Sequence, residues 1–190
     1  MIKIGILGDI GSGKSFVAKI FGYPVFNADE EVSKLYKNNK KVYSKLKKEL
    51  PKHISSFPIK KKEISDAILS NKSNLKKIVK IVHTEIRKKM NIFIKNNNNK
   101  KVVILDIPLL LENKINSEKD ILVFVQSKKS EISKRLKRRK NFDKKLFNKF
   151  KKIQLPLDYK KKKSNFIIKN NFNKVTVQKY VKDITKEILK

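Results

Sequence analysis

The chain concentrates its glycine at one point. Gly5, Gly8, Gly11, Gly13 and Gly22 are its only five glycines, and they surround the stretch Gly8-Asp9-Ile10-Gly11-Ser12-Gly13-Lys14-Ser15. Ahead of it, Ile2 to Leu7 form a short apolar run consistent with a buried strand, and behind it Ser15 to Phe21 fit a helix. Gly8, Gly13, Lys14 and Ser15 satisfy G-x-x-x-x-G-K-[ST] between a strand and a helix. Glycines let backbone N–H groups turn inward without a Cβ in the way, and the new helix adds unsatisfied donors, so the turn is built for an anion. Lys14 is expected to reach the β- and γ-phosphates of a nucleotide and Ser15 to ligate Mg²⁺ through its hydroxyl. Asp9, Ile10, Gly11, Ser12 and Phe16 complete the candidate nucleotide-binding segment.

The rest of the chain alternates strands and helices. Pro24 to Phe26 read as a second short strand ending at Asn27-Ala28-Asp29. One helical segment follows, with Val32, Leu35, Tyr36, Val42 and Leu46 on its apolar face. From about 50 to 99 no strand is evident; Ile64, Ile68 and Leu69, then Leu75, Ile78, Val79, Val82 and Ile86, recur at helical spacing, and the polar run at 96–100 reads as a loop. Val102 to Asp106 and Ile121 to Val125 are nearly continuous apolar runs, the pattern of central parallel strands covered on both faces. A basic helix from Ser130 through Arg139, a further helical segment to about Phe150, an irregular link at 154–160, a strand in 165–170 and a closing amphipathic helix through Ile188 complete the order. This alternation predicts an α/β layer fold with right-handed crossovers and a helical insertion between the second and third strands.

Composition narrows the partners. At 190 residues one domain with an insertion is expected. No apolar run approaches the length of a membrane span and the start resembles no signal peptide, so a cytoplasmic protein without a membrane partner is expected. Cysteine is absent, which removes disulfides, thiolate metal sites and cysteine nucleophiles. The formal charge of +32 comes from lysines spread along the whole chain, the pattern of a solvated surface, and no dedicated nucleic-acid partner is expected. Such a field also draws in phosphorylated small molecules. Arginine behaves differently: of four arginines, Arg135, Arg138 and Arg139 fall within one helical turn or so. A guanidinium grips phosphate in a rigid fork that lysine cannot copy.

Two carboxylates close predicted strands. Asp106 faces the phosphate loop across a neighbouring strand, where it can order Mg²⁺, directly or through water, or cap the loop before Pro108. Asp29 reaches the same end of the sheet, where ligands of doubly wound folds gather; it can accept a proton from an attacking hydroxyl or cap the next helix. The loop alone fits an ATPase, a GTPase or a small-molecule kinase. No N/T-K-x-D signature of guanine recognition is visible, and the length, the insertion and the late arginines favour a kinase that closes over its phosphates. A nucleoside monophosphate kinase or another small-molecule kinase remains open on these residues, as does an ATP-dependent nucleic-acid-binding protein suggested by charge alone.

The details resemble the dephospho-coenzyme A kinase family. GDIGSGKS is similar to that family's G-G-I-G-S-G-K-S, FNADEEV to its aspartate-containing stretch, and VVILDIPLLLE to V-D-x-P-L-L-x-E, aligning Asp106, Pro108, Leu109, Leu110 and Glu112. RLKRR resembles R-L-x-x-R, aligning Arg135 and Arg139, and QLPLDYK with NFIIKN aligns Gln154, Pro156, Lys160 and Asn170. The resemblance implies a three-layer P-loop nucleoside triphosphate hydrolase fold with a five-stranded parallel sheet: a core of about 1–30, 100–127 and 162–190, a helical acceptor-binding insertion of about 31–99 and a lid of about 128–161. It implies ATP and Mg²⁺ as cofactors and dephospho-coenzyme A as acceptor. Asp29 would be the base, Lys14 and Arg139 the other catalytic groups, Arg135 a nucleotide contact, and Lys61, His83, Asp106, Leu110 and Glu112 acceptor-side residues. A monomer is expected, with oligomers left open.

Four positions depart from the family pattern. Asp9 replaces a glycine and would weaken nucleotide binding if it faced the phosphates. Thr84 follows His83 where proline is usual, Lys61 stands where an arginine is expected, and Ser164-Asn165 replaces Ala-Asp. These bear on affinity more than on reaction class.

Overall fold

The computed structural model describes residues 1–139 and 142–190; the part of the expected lid at 140–141 lies outside the described residues. Five strands carry the fold: β1 (Ile2–Gly8), β2 (Val25–Asn27), β3 (Val102–Asp106), β4 (Ile121–Gln126) and β5 (Phe166–Lys169). They form one parallel sheet in the order β2-β3-β1-β4-β5. β1 is central, with Ile4 in register with Ile104 on one side and Ile121 on the other. Every residue of β3 is buried, as a strand covered on both faces requires.

Alternation along the strands divides the core. Ile4, Ile6, Ile104, Val123, Val125 and Ile168 face a layer made by α1 (Lys14–Ile20) and α9 (Lys174–Ile188), where Val17, Ala18, Val177, Val181 and Ile184 are buried. Leu7, Phe26, Leu105, Leu122 and Phe124 face the opposite layer. That layer holds α2 (Ala28–Asn38), α3 (Lys40–Glu49), α4 (Lys61–Ser70) and α5 (Lys72–Asn96). Parallel strands need crossovers, and helices on both faces of the sheet give the expected three layers. Between β4 and β5 the chain forms α6 (Lys129–Lys137), α7 (Lys144–Lys152) and α8 (Leu157–Lys162).

Two expectations about elements need correction. The single helix drawn through Val32 to Leu46 is two, because Asn39 is extended (φ −102, ψ 97) and its side chain accepts a hydrogen bond from Val42 N, starting α3 anew. The link at 154–160 is irregular only at its start. Pro156 sets the N-cap of α8 and Asp158 occupies its first turn, a short helix with ordinary start signals. At His83-Thr84, α5 runs on without interruption.

Candidate active site

All the groups singled out at strand ends meet at the C-terminal edge of the sheet. In the order β2-β3-β1, Asn27 pairs with Asp106 in register and the phosphate loop follows on the next strand. Asn27 Nδ2 donates to Asp106 Oδ2 at 3.0 Å, while its Oδ1 accepts from Glu30 N and caps α2. Asn27 thus fixes the start of the helix that carries Asp29. The Ser15 hydroxyl lies near enough to Asp106 to favour its ionised form.

The loop needs its glycines for different reasons. Gly8 has φ 146, and a Cβ there would meet Ser12 Oγ and Val125 O, each at 2.7 Å. Gly13, the N-cap of α1, is left-handed (φ 90, ψ 25) with no side-chain cap; its Cβ would lie 2.4 Å from Asn170 Nδ2. The Ser12 carbonyl is gripped from the ends of the two strands on one side of β1, the adjacent β4 and β5 beyond it. Ser127 Oγ and Asn170 Nδ2 both donate to it at 2.8 Å. Because a trans peptide points its C=O and N–H in opposite directions, this grip turns the Gly13 N–H toward the hollow of the loop. Asp9 Oδ1 accepts from Ile10 N at 2.7 Å, so the carboxylate is turned onto the loop's own backbone.

Lys14 Nζ donates to Asp9 O at 2.8 Å and to Gly8 O at 3.3 Å. Burial pushes its ammonium below the ordinary lysine value, with Asp106 opposing, Lys160 adding to the depression, and Asp29 and Asp9 opposing. Burial likewise pushes Asp106 up against the pull of the nearby Ser15 hydroxyl and the charge of Lys14. Asp29 is open to solvent yet lies within a concave surface, and that enclosure raises its carboxyl above the ordinary value while Lys14 and Arg139 pull it down.

Asp29 opens onto a cavity of about 470 Å³. Its walls are Ile64 and Ile68 of α4, Val79 and Val82 of α5, and Leu146 and Phe150 of α7; Ile10, His83, Arg139 and Gln154 also line it. A mostly apolar hollow with a carboxylate and a guanidinium at one end can enclose a large acceptor and shed water from the reacting atoms. His83, depressed by burial and by Arg87, has Nε2 at 3.4 Å from Asn113 Nδ2.

The arginines separate. Arg139 faces the cavity and Asp29, whereas the Arg135 guanidinium stacks 4.1 Å over the Phe172 ring beside Gly13. Arg138 is exposed at the C-cap of α6. Gly11 packs against Ile132 and Leu136 of α6, and Phe16 is half-buried against the α1/α9 layer. Leu110 departs from its expected place: it is wholly buried and packs on Gly5, beneath the site and away from the cavity. Glu112 is also supporting, since its Oε1 pairs with buried Lys160 Nζ at 2.6 Å and accepts from Leu155 N. Lys61 begins α4, exposed and outside the cavity lining. Ser127, Phe172 and the cavity face of α7 carried no local sequence signal; Asn170 and Lys160 were visible only through the family pattern.

A parallel sheet flanked by helices, with an anion-binding turn after its central strand and a carboxylate at the mouth of an open-sided cavity, defines a P-loop kinase. The family model described as "Dephospho-CoA kinase" matches residues 2–175. A "Dephospho-CoA kinase" of Wolbachia sp. subsp. Brugia malayi is 36% identical over 186 residues, covering 95% of each chain, and that of Rickettsia typhi is 31% identical over 191, covering 99% of this chain and 98% of its own. This chain belongs to the dephospho-CoA kinase family. Among solved structures, TT1252 from Thermus thermophilus superposes with TM-score 0.79 at 24% identity, covering 100% of this chain and 98% of that one. The dephospho-CoA kinase of Campylobacter jejuni superposes with TM-score 0.59 at 21% identity, covering 98% and 96%. These two likenesses speak to the fold.

Proposed function

We propose that the chain transfers the γ-phosphoryl group of ATP to the ribose 3′-hydroxyl of dephospho-coenzyme A, the last step of coenzyme A biosynthesis, in the cytoplasm. The observation that carries this reading is the meeting of Asp29 and Arg139 in the concave cavity beside Lys14. Helices α2–α5 act as the acceptor-binding insertion and α6–α8 as the lid. ATP lies on Gly8 to Ser15, flanked by Arg135 on its Phe172 platform. Asp29 accepts the proton of the 3′-hydroxyl as that oxygen bonds to the γ-phosphorus, and the bond to the β–γ bridging oxygen breaks to release ADP. Lys14 and Arg139 offset the charge on the transferring group.

The residues present suit Mg²⁺. Ser15 and Asp106 offer hard oxygen donors near one another. Among the described residues no set of three or more histidine, aspartate or glutamate side chains forms a metal cage, which accords with an ion that keeps phosphate and water ligands. When bound, it neutralises phosphate charge. The test is product identity: with Mg²⁺-ATP and dephospho-coenzyme A the expected product is coenzyme A and ADP, whereas preferred turnover of AMP, CMP or UMP would make the chain a nucleoside monophosphate kinase.

A further inference from the structure

Helix α4 ends abruptly, and its last carbonyls are claimed by side chains from elsewhere. Asn71, which follows it, is extended (φ −145, ψ 139), so the chain does not turn back to cap the helix. The Ala67 carbonyl accepts from Asn74 Nδ2 and from Ser70 Oγ, both at 2.9 Å. The next two carbonyls, of Ile68 and of Leu69, accept from the ammonium of Lys149, the latter at 2.9 Å. Lys149 belongs to α7, about eighty residues away along the chain. A cation on the open carbonyls at a helix C-terminus is a favourable pairing of charge with the helix dipole.

The attachment is otherwise light. No residue of α7 is fully buried; Leu146 and Phe150 contact the core from half-buried positions, and both line the cavity together with Phe147. The adjoining wall, packed against α7, includes Ile64 and Ile68 of α4. Lys149 therefore ties together two neighbouring walls of the cavity in which the acceptor would lie, ten residues beyond Arg139. Three lysine ion pairs elsewhere join side chains three residues apart in one helix; this ammonium, like those of Lys77 and Lys89, bridges two separate helices, and it does so through backbone carbonyls.

We propose that Lys149 is a positioning residue: a latch that fastens the lid helix α7 to the C-terminus of α4, breaks to admit the acceptor and re-forms to hold the cavity closed during transfer. This rests on the kinase reading above. Closure of this kind separates transfer to the acceptor from transfer to water.

The test uses the full chain as Lys149→Met and Lys149→Arg. Lys149→Met is expected to raise the KM for dephospho-coenzyme A about tenfold and to increase ATP hydrolysis per transfer, while the KM for ATP stays within about twofold. Lys149→Arg, which keeps a cation for the two carbonyls, restores both. An optical readout stands apart from turnover: the chain has no tryptophan, so Phe147→Trp supplies a single reporter inside the cavity wall. Its emission is expected to shift to the red when Lys149→Met is added. A folded Lys149→Met protein with unchanged acceptor KM, unchanged coupling and unshifted emission overturns the proposal, as does one that loses only thermal stability. Wild-type protein that fails to phosphorylate dephospho-coenzyme A would count against the function, while the emission comparison would still judge the latch.

Discussion

Asn170 donates its amide to the carbonyl of Ser12 at 2.8 Å while accepting from Phe172 N at 2.8 Å, so one buried side chain joins the end of β5 to the phosphate loop. Asn170→Ala removes one of the two donors that orient the Ser12–Gly13 peptide. The KM for ATP is expected to rise about tenfold, consistent with about 1–2 kcal/mol for a buried hydrogen bond. The KM for the acceptor should stay within about twofold. Equal losses on both substrates would mean that the loop as a whole had collapsed.

As the proposed base, Asp29 would act only when ionised, and burial raises its carboxyl above the ordinary value of 3.8. Turnover is therefore expected to fall as pH drops through that raised value. Arg139→Met removes a charge that holds the carboxyl down, so the acid limb of the kcat profile moves to higher pH. Asp29→Asn lowers kcat by about 10²-fold or more with ATP binding nearly intact. A pH profile unaltered by Arg139→Met, or full turnover in Asp29→Asn, would remove Asp29 from the mechanism.

The pair between Lys160 and Glu112 is almost wholly shielded from water, at 1% and 9% side-chain exposure. Glu112→Gln leaves a buried ammonium without its counter-charge and is expected to cost about 3–5 kcal/mol of stability. Replacing both partners, as Glu112→Leu with Lys160→Met, should recover much of that loss. Chemical denaturation of the single and double variants measures the difference; a double variant as unstable as the single would show that the site tolerates no apolar pair.

Glu63 gathers five hydrogen bonds from the backbone of Ser55, Ser56 and Lys60 and from the Ser55 and Ser56 hydroxyls. Burial alone would raise its carboxyl, but these donors outweigh that and bring it down to about 2 from 4.5. A depressed carboxyl contributes its stability fully above the unfolded value and loses it as pH falls toward the folded one. Glu63→Gln is thus expected to lower the melting temperature at pH 7, and the gap from wild type should narrow between pH 4.5 and pH 2. A gap independent of pH would assign the effect to packing.

The strands and the loop were legible because their causes are local. Apolar runs without alternation identify doubly covered strands, and a glycine at φ 90 followed by Lys14 leaves few other uses for the turn. The helix break at Asn39 was missed because asparagine is tolerated within a helical pattern until its side chain turns back to cap. Leu110 shows a different limit. Its place in a family motif suggested a ligand contact, but with Gly5 opposite there is no Cβ on the sheet at that point and the leucine fills the space. Lys149 and Ser127 were hidden for a third reason, since their partners lie 81 and 115 residues away and nothing beside them in the chain distinguishes them.

The central position of β1 has a consequence for how the protein is made. Its neighbours are residues 102–106 and 121–126, so β1 finds no sheet partner until about a hundred further residues have followed it out of the ribosome. The insertion helices, whose contacts are closer in sequence, can gather first. The nucleotide cradle is completed only when Asn170 arrives, 158 residues after the Ser12 carbonyl it holds, so until then the nascent loop lacks one of the two donors that orient it.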